Sequence, residues 1–293
     1  STHISYTDPS SIDNPRRVHF PGVRPLTKTF GGETVLDRLD LAIEPGGIHG
    51  LLGRNGVGKS TLLSLIAGQL KPSEGELDVF NQKPFDNATV MDRVSLTGVD
   101  VAYPGTWSVR DILTGAQLRY PGWDRGIADE LVADFALDDA MTTAYSQLSR
   151  GQRAMVGNIV GLASGAELTL LDEPYVGLDI HNTDVFYRHL LELSGNGRTF
   201  IMATHHIEDA AKLLDSAIIL GRDGRIAAHI LAEEADDYVV ATGSFDEPEH
   251  ALAYRRTDAG SRALLPATSA TGLSARTAPA DLGDVIESLL EVS

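Results

Sequence analysis

The chain has 293 residues and a formal charge of −17, from 24 Lys and Arg against 41 Asp and Glu. That balance argues against a basic surface for nucleic acid over the whole molecule, although a local anion site is still allowed. Hydrophobic residues at 42% are typical of a folded chain with a core, and the absence of cysteine excludes disulfides, thiolate metal sites and cysteine nucleophiles.

The N-terminal part of the chain leads into a strand, a loop and a helix. Residues 1–24 are polar and rich in Ser, Pro and Asp, which predicts an extension. Residues 35–43 alternate between apolar and polar side chains, which predicts a short strand, and the composition of residues 44–47 predicts a turn after it. Residues 48–52 are an apolar run typical of a buried strand, and a glycine-rich loop and an apolar helix over residues 60–70 follow directly.

The remainder alternates between helical and strand patterns. Helices are predicted over residues 109–120, 125–135 and from 149 onward, then near 183–193 and 207–214. Strands are predicted over residues 168–171, 199–203 and 217–220. The alternation predicts an α/β fold with a mostly parallel sheet and helices on both faces. Beyond residue 232, a strand over 236–242 and an amphipathic helix over 279–292 predict a small α+β accessory region.

The glycine-rich loop carries the strongest chemical signal, because it matches the pattern G-x-x-x-x-G-K-[ST] between a predicted strand and helix. Its glycines let the backbone approach phosphates, Lys59 can reach the outer phosphates, and Ser60 can hold Mg²⁺. The candidate nucleotide-binding residues here are Gly53, Arg54, Asn55, Gly56, Val57, Gly58, Lys59, Ser60 and Thr61. A chance glycine-rich turn is the competing interpretation, and the flanking elements favour a nucleotide site.

Polar groups follow two of the later strands. Asp172 and Glu173 end the strand near residue 171, where Asp172 suits a Mg²⁺ ligand and Glu173 suits a base that orients water. His205 follows the strand over residues 199–203, where a γ-phosphate sensor or a structural histidine are both compatible. Ser149 begins a helix, so it is either a simple N-cap or part of a second anion site.

In order and spacing, five segments resemble the motifs of ABC-type ATPases. Residues 53–61, 148–152, 168–173, 177–179 and 204–205 are similar to the Walker A, signature, Walker B, D-loop and switch-histidine motifs. The resemblance covers residues 26–227, and Phe30 matches the aromatic residue that stacks on adenine in the family. Residues 51–53 and 120–124 are further similar to ATP-binding subunits of bacterial ABC-2 exporters.

The resemblance implies a P-loop NTPase (RecA-like) core, an N-terminal antiparallel β subdomain and a helical subdomain over about residues 100–160. It implies Mg-ATP bound in a head-to-tail dimer, where Ser149 and Gly151 of one subunit close on the γ-phosphate held by Lys59 of the other. Gln152 belongs to the same signature segment, and Asp179 communicates between the sites. Glu173 and His205 are the implied catalytic residues, and Ser60 and Asp172 the implied metal ligands.

Three positions differ from the family pattern. No glutamine occurs in residues 95–100, where the family has one that joins Mg²⁺ coordination and senses the membrane subunit, and Asp100 is a candidate substitute. Arg150 replaces the commoner glycine of the signature, and Ile180 replaces the usual proline after the D-loop. The last two differences leave the catalytic groups in place, whereas the missing glutamine concerns the contact that couples the site to the membrane subunit.

The implied function is an ATPase motor of a transporter, with a second ATPase subunit in a homodimer or heterodimer and a separate transmembrane permease that docks near residues 100–125. The expected location is cytoplasmic, peripheral on the membrane, since no apolar run reaches about 20 residues. The alternative is a soluble ABC ATPase acting on ribosomes or DNA, which the charge of −17 disfavours, so no nucleic acid partner is expected. The expected domains are residues 1–24, 25–232 and 233–293.

Overall fold

A computed structural model describes residues 18–19, 24–98, 100–205, 210–258 and 260–292, with the backbone alone for 18–19. The predicted extension over residues 1–24 therefore lies almost entirely outside the described residues. The strands are β1 (Val18–His19), β2 (Leu26–Phe30), β3 (Glu33–Leu39), β4 (Ala42–Ile43), β5 (Gly47–Leu52), β6 (Asp78–Val79), β7 (Val94–Gly98), β8 (Leu168–Asp172), β9 (Thr199–Thr204), β10 (Ser216–Leu220), β11 (Ile226–Leu231), β12 (Tyr238–Gly243), β13 (Ala253–Thr257), β14 (Gly260–Pro266) and β15 (Ala275–Pro279). The α-helices are α1 (Lys59–Ile66), α2 (Ala88–Met91), α3 (Val109–Arg119), α4 (Arg125–Asp134), α5 (Arg150–Ala163), α6 (Ile180–Ser194) and α7 (Leu282–Val292).

Among the described residues, six strands form a central sheet in the order β11-β10-β5-β9-β8-β7. All neighbours are parallel except β10 and β11, which are antiparallel. Every residue of β8, β9 and β10 is buried, as expected for strands covered on both faces. In register, Asp172 lies opposite both Ala203 and Gly98, and Leu52 lies opposite Thr204, so the carboxyl ends of these strands meet at one edge.

The N-terminal antiparallel β structure predicted from the resemblance is present in two pieces. β2 and β3 pair as a two-stranded sheet, and β4, β1 and β6 form a three-stranded antiparallel sheet. A hydrophobic cluster joins these strands to α1 and one face of the central sheet through residues such as Leu36, Leu63, Ile66 and Ile201. This packing fixes the loop before α1 against the antiparallel strands.

The predicted helices in the middle of the chain agree with the structure within about one residue at their starts. Each begins at a side-chain cap: Ser108 caps α3, Asp124 caps α4 and Ser149 caps α5. The predicted helix over residues 60–70 ends earlier, because α1 stops at Ile66 and Gly68 has a φ of 76°. A β-carbon at Gly68 would lie 2.3 Å from the Pro84 carbonyl oxygen, so the chain turns there.

The C-terminal accessory region is an antiparallel sheet in the order β13-β14-β12-β15, with α7 packed on it. The predicted strand over 236–242 starts two residues late, because residues 232–237 form a 3-10 turn, and the closing helix starts at Leu282 rather than 279. α7 also packs on β10 and on the 3-10 turn Ala211–Leu213. That turn lies in the predicted helix over 207–214, of which residues 207–209 are outside the described residues.

Candidate functional site

The glycine-rich loop lies between the carboxyl end of β5 and the amino end of α1. Gly56 and Gly58 have φ values of 80° and 112°, a left-handed backbone that favours glycine. A β-carbon at Gly58 would lie 2.8 Å from Leu36 Cδ2, so the loop also needs glycine to pack against β3. The loop thus presents the amino end of α1, with its free N–H groups, to the edge where the strands end.

Lys59 is the first residue of α1, and its amine is held inside the loop. Its Nζ donates to the carbonyl oxygens of Gly53 at 2.7 Å and Arg54 at 3.0 Å, and lies 4.0 Å from Glu173 Oε1. Burial lowers the pKa of Lys59 below its usual value, while Glu173 and Asp172 oppose that shift. A buried amine between a helix start and two carboxylates is arranged to hold an anion.

Asp172 and Glu173 lie at the end of β8, across the cleft from the loop. Asp172 is 8% exposed, and burial raises the pKa of its carboxyl, with Glu173 and Asp100 adding to the rise while a hydrogen bond with Ser60 and the charge of Lys59 oppose it. The backbone of Glu173 is left-handed with a φ of 50°, and its N–H donates to the Ala203 carbonyl oxygen at 2.9 Å. The backbone of Glu173 is therefore strained, and its hydrogen bond to β9 holds it in place directly after β8.

Glu173 and His205 form a pair. His205 Nδ1 lies 2.8 Å from Glu173 Oε1. The other oxygen, Oε2, is buried and accepts no hydrogen bond from the described residues. A carboxylate with one oxygen held by an imidazole and the other without a donor is suited to accept a proton from water.

These groups line one cavity of about 370 Å³. The cavity is lined by Val35, Asn55, Gly56, Gly58, Lys59, Ser60, Thr61, Asp100, Arg150, Asp172, Glu173, Val176 and His205. The lining does not include Phe30, which ends β2 with its ring 45% exposed and Lys28 Nζ at 4.7 Å from the ring centroid. Gly53 and Arg54 contribute through their carbonyl oxygens to Lys59, and Val57 packs in the adjoining hydrophobic cluster.

The signature segment, residues 148–152, lies beside this cavity, and only its Arg150 is part of the lining. The Ser149 hydroxyl accepts from the Gln152 N–H at 3.1 Å, and the Gln152 side chain accepts from the Ser149 N–H at 2.9 Å. This reciprocal capping accounts for both side chains within one subunit. Asp179 likewise caps α6 by accepting from the Asn182 N–H at 2.8 Å. Within the subunit, these residues have structural roles and lie outside the cavity lining.

Comparison with known proteins identifies the family. The ABC transporter family profile matches residues 36–176. A daunorubicin resistance ATP-binding protein of Streptomyces coeruleorubidus is 30% identical over 248 residues, which cover 83% of this chain and 77% of that protein. This chain belongs to the ABC transporter ATP-binding family. It is an ATP-binding, ATP-hydrolysing subunit of a transporter.

Further relatives of this ABC ATPase include both directions of transport. A Nod factor export ATP-binding protein of Rhizobium leguminosarum bv. viciae is 29% identical over 77% of this chain and 74% of its own length. A ribose import ATP-binding protein of Rubrobacter xylanophilus is 28% identical over 81% of this chain, which spans 49% of that protein. A solved ATP-binding subunit of an ABC transporter superimposes with a TM-score of 0.66 at 21% identity, over 74% of this chain and 91% of that one, which confirms the P-loop fold.

The residues of this ABC ATPase also fit a magnesium ion. Mg²⁺ prefers oxygen ligands, and here the Ser60 hydroxyl and the Asp172 carboxylate come together at the base of the cleft. Asp172 carries a desolvated carboxylate whose ionised form a divalent cation would stabilise. Bound there with the phosphates, the ion would neutralise charge that develops during phosphoryl transfer.

Among the residues that line the cleft of the ABC ATPase, Val35, Arg150 and Val176 were given no site role from the sequence, and Asp100 was named only as a candidate substitute for the family's glutamine. Asp100 lines the cleft and its charge reaches Asp172, and its role as a substitute for the glutamine stays a prediction. Arg150 lines the cleft from the start of α5. The departure of Arg150 from the common signature glycine was the available signal, but the sequence alone does not say which side of the helix end the side chain faces.

Proposed function

We propose that this chain works as a pair, with itself or a related chain, and couples Mg-ATP hydrolysis to export by a separate membrane-embedded permease. The observation that carries the proposal is the convergence of Lys59, Asp172, Glu173 and His205 in one cleft. Lys59 holds the outer phosphates, Ser60 and Asp172 hold Mg²⁺, and Glu173 orients the attacking water with His205 beside it. Phe30 stacks on the adenine.

The exposed face next to the cleft supports a head-to-tail pair. Ser149 is exposed, and Gly151 packs on Gly177 so tightly that a β-carbon at Gly151 would lie 2.7 Å from the Gly177 carbonyl oxygen. Ile180, directly after Asp179, is 83% exposed, so a large apolar side chain on this face is available for burial by a partner. We infer that a partner's nucleotide and D-loop cover this face, where the Ser149 hydroxyl and the Gly151 backbone meet the γ-phosphate.

The helical subdomain offers a surface for the permease. Trp107 is 43% exposed and Leu118 is 85% exposed, both within the residues 100–125 that the sequence predicts as the docking region. No helix among the described residues has the length and apolar character to cross a bilayer. In this proposal the ATPase is cytoplasmic and is held at the inner face of the membrane by the permease.

Export is proposed from the extent of the matches. The chain spans 77% and 74% of the drug resistance and Nod factor export proteins, against 49% of the ribose import protein. Within this proposal residues 25–232 form the ATPase domain and residues 233–293 an accessory region, whose sheet begins at β12. Co-purification discriminates the soluble alternative: a membrane protein at equal stoichiometry supports transport, whereas ribosomes or DNA support the alternative.

The Glu173→Gln variant tests the assignment of the base. Because the amide cannot accept the proton, we expect turnover to fall by about 10²- to 10⁴-fold while ATP binding persists and a closed dimer accumulates. Hydrolysis assays and sedimentation with Mg-ATP measure both effects. Glu192→Gln makes the same chemical change on the exposed face of α6 and should leave turnover unaltered. Unchanged hydrolysis in Glu173→Gln would contradict the assignment.

A further inference from the structure

Asn158 is a buried amide in an apolar stretch of α5. Its side chain is 2% exposed, and the nearby Val156, Ile159 and Val160 of the same helix belong to a hydrophobic cluster. A buried amide gives up its hydrogen bonds to water, a cost that an apolar side chain of similar size would avoid. Its presence here indicates a task other than filling the core.

The Asn158 amide binds the loop that follows Glu173. Its Nδ2 donates to the Pro174 carbonyl oxygen at 2.8 Å, and this hydrogen bond is buried. Because proline has no N–H, the carbonyl oxygen is the polar backbone group through which Pro174 can be held. The hydrogen bond therefore joins α5 to the residue directly after the proposed base.

The backbone of Glu173 needs support on both sides. A residue before proline prefers an extended backbone, yet Glu173 has a φ of 50°. On its amino side, the Glu173 N–H donates to the Ala203 carbonyl oxygen at 2.9 Å, which fixes it to β9. On its carboxyl side, Asn158 supplies a contact to α5. A strained conformation persists only where its surroundings hold it, and these two hydrogen bonds hold this one.

Packing is incomplete where the loop borders α5. A cavity of about 550 Å³ lies there, and Asn158, Glu173 and Pro174 are all part of its lining. A cavity offers no packing partners to the atoms that line it. The directional hydrogen bond of Asn158 therefore limits the movement of the loop on this side.

We propose that Asn158 is a positioning residue of the ATPase, which through Pro174 keeps the Glu173 carboxylate directed at the attacking water. The inference rests on the proposed role of Glu173 as the base. Asn158 is not part of the lining of the phosphate cleft, so it acts on the reaction through the loop. Because α5 begins at the signature segment, the same hydrogen bond joins the helix proposed to meet the partner's nucleotide to the base of its own cleft.

Asn158→Leu removes the donor and keeps a side chain of similar size. We expect the turnover number to fall about 10- to 100-fold, because a misplaced base accepts the proton slowly. Affinity for Mg²⁺ with adenylyl imidodiphosphate, which resists hydrolysis, should change less than about twofold, since Lys59 and Ser60 are untouched. Asn158→Gln keeps the amide, and the neighbouring cavity has room for the extra methylene, so part of the turnover should return. Hydrolysis assays and titration calorimetry measure these effects.

Ser164→Ala is the control for a loss of stability alone. Ser164 is buried at the other end of α5, where its hydroxyl donates to the Gly161 carbonyl oxygen at 2.7 Å. This variant should unfold at a lower urea concentration, while its turnover changes less than about twofold. If it loses as much turnover as Asn158→Leu, the effect is one of stability and the inference is overturned. Should Asn158→Leu fail to fold, Asn158→Ser makes the same comparison, because its hydroxyl is too short to reach Pro174.

A second substitution at Glu173 separates the possible failures. If Asn158 acts through the base, Asn158→Leu should cause no further loss in the single-turnover rate of Glu173→Gln. A further loss of the same size in that background, or equal losses of affinity and turnover in Asn158→Leu alone, would overturn the inference. If Glu173→Gln alone hydrolyses ATP normally, the assignment of the base is wrong. If Glu173→Gln is slow but Asn158→Leu is not, only the inference about Asn158 is wrong.

Discussion

The two ends of the central sheet both bury polar side chains, but these are charged in the cleft at the carboxyl end and are neutral histidines toward the amino end. At the carboxyl end, the Lys59 amine and the Glu173 and Asp172 carboxylates share one cleft. Toward the amino end of β5 and β10, Ser216 lies between two imidazoles, 2.7 Å from His49 Nδ1 and 3.3 Å from His229 Nε2. Burial lowers the pKa of both histidines, to about 4 for His229, so both imidazoles are neutral at pH 7.

The difference separates a structural network from a binding site. Buried charge costs stability unless a partner compensates it, and the histidine network avoids that cost by remaining unprotonated. The cleft instead keeps a lysine whose pKa is lowered and an aspartate whose pKa is raised, both by burial. A bound cation and bound phosphates would stabilise these charged groups. Without the ligand the subunit is therefore less stable, and this lost stability is recovered as strong binding when the ligand is present.

Asp172→Asn tests whether the cleft gives up stability in this way. We expect ATP turnover to fall at least about 100-fold, because the metal loses its charged ligand. Since the folded pKa of Asp172 is raised, its stabilising contribution is present below the unfolded pKa and is lost as pH rises through the folded value. At pH 7 the nucleotide-free variant should therefore melt at a higher temperature than the natural chain.

Differential scanning calorimetry and a hydrolysis assay measure the two effects of Asp172→Asn. Asp139→Asn is the matched control, because Asp139 is exposed in a 3-10 turn away from the cleft. A lower melting temperature in Asp172→Asn, with the control unaltered, would show that the carboxylate supports the fold and would remove the contrast between the two ends.

Lys59→Ala tests the cation of the same cleft. The amine would make charge-assisted hydrogen bonds to phosphate oxygens, so we expect affinity for ATP to fall about 10- to 100-fold. Titration calorimetry with Mg²⁺ and the non-hydrolysable analogue measures it. Lys71→Ala removes an exposed lysine beyond α1 and should bind as the natural chain does. Equal affinities for the two variants would remove Lys59 from the site.

His229→Gln tests the neutral histidines at the amino end of the sheet. The folded pKa of about 4 lies below the ordinary 6.5, so as pH falls the unfolded chain takes up a proton first and the native state loses stability between these values. The loss is at most about 1.4 kcal/mol for each pH unit. The variant should lose less stability between pH 7 and pH 5, measured by urea unfolding, than the natural chain and the exposed-site control His250→Gln. An unaltered slope would contradict the burial of a neutral imidazole.

The central part of the fold is predictable because its strands are short apolar runs that end at glycine or acidic residues, as β5 and β8 do. The sequence did not predict the strands β13 and β15, and the reason is physical. In β13 the residues after Tyr254 are exposed, and in β15 every residue after Ala275 is exposed, so neither strand has an apolar face that alternates along the sequence. Pairing with β14 and β12 stabilises them instead.

The candidate site, like the fold, has a part that the sequence predicts and a part that it does not. The loop around Lys59 and the acids that end β8 are predictable because motif and flanking elements occur together in the sequence. Arg150 in the cleft was not predictable, because its position depends on the close approach of Gly177 to the start of α5, across more than twenty residues of chain. The position of Asp100 likewise depends on how the segment after β7 turns. The periodicity of the sequence predicts the position of neither Arg150 nor Asp100.

The packing of α7 has a mechanical consequence. Val285, Ile286 and Leu289 of this last helix belong to the same hydrophobic cluster as Met202 and Ala217 of the central sheet. The accessory sheet is thus joined to the central sheet through a shared hydrophobic cluster as well as through the chain. A force applied to that sheet would therefore reach β10 and residues 211–213 through the packed side chains of α7.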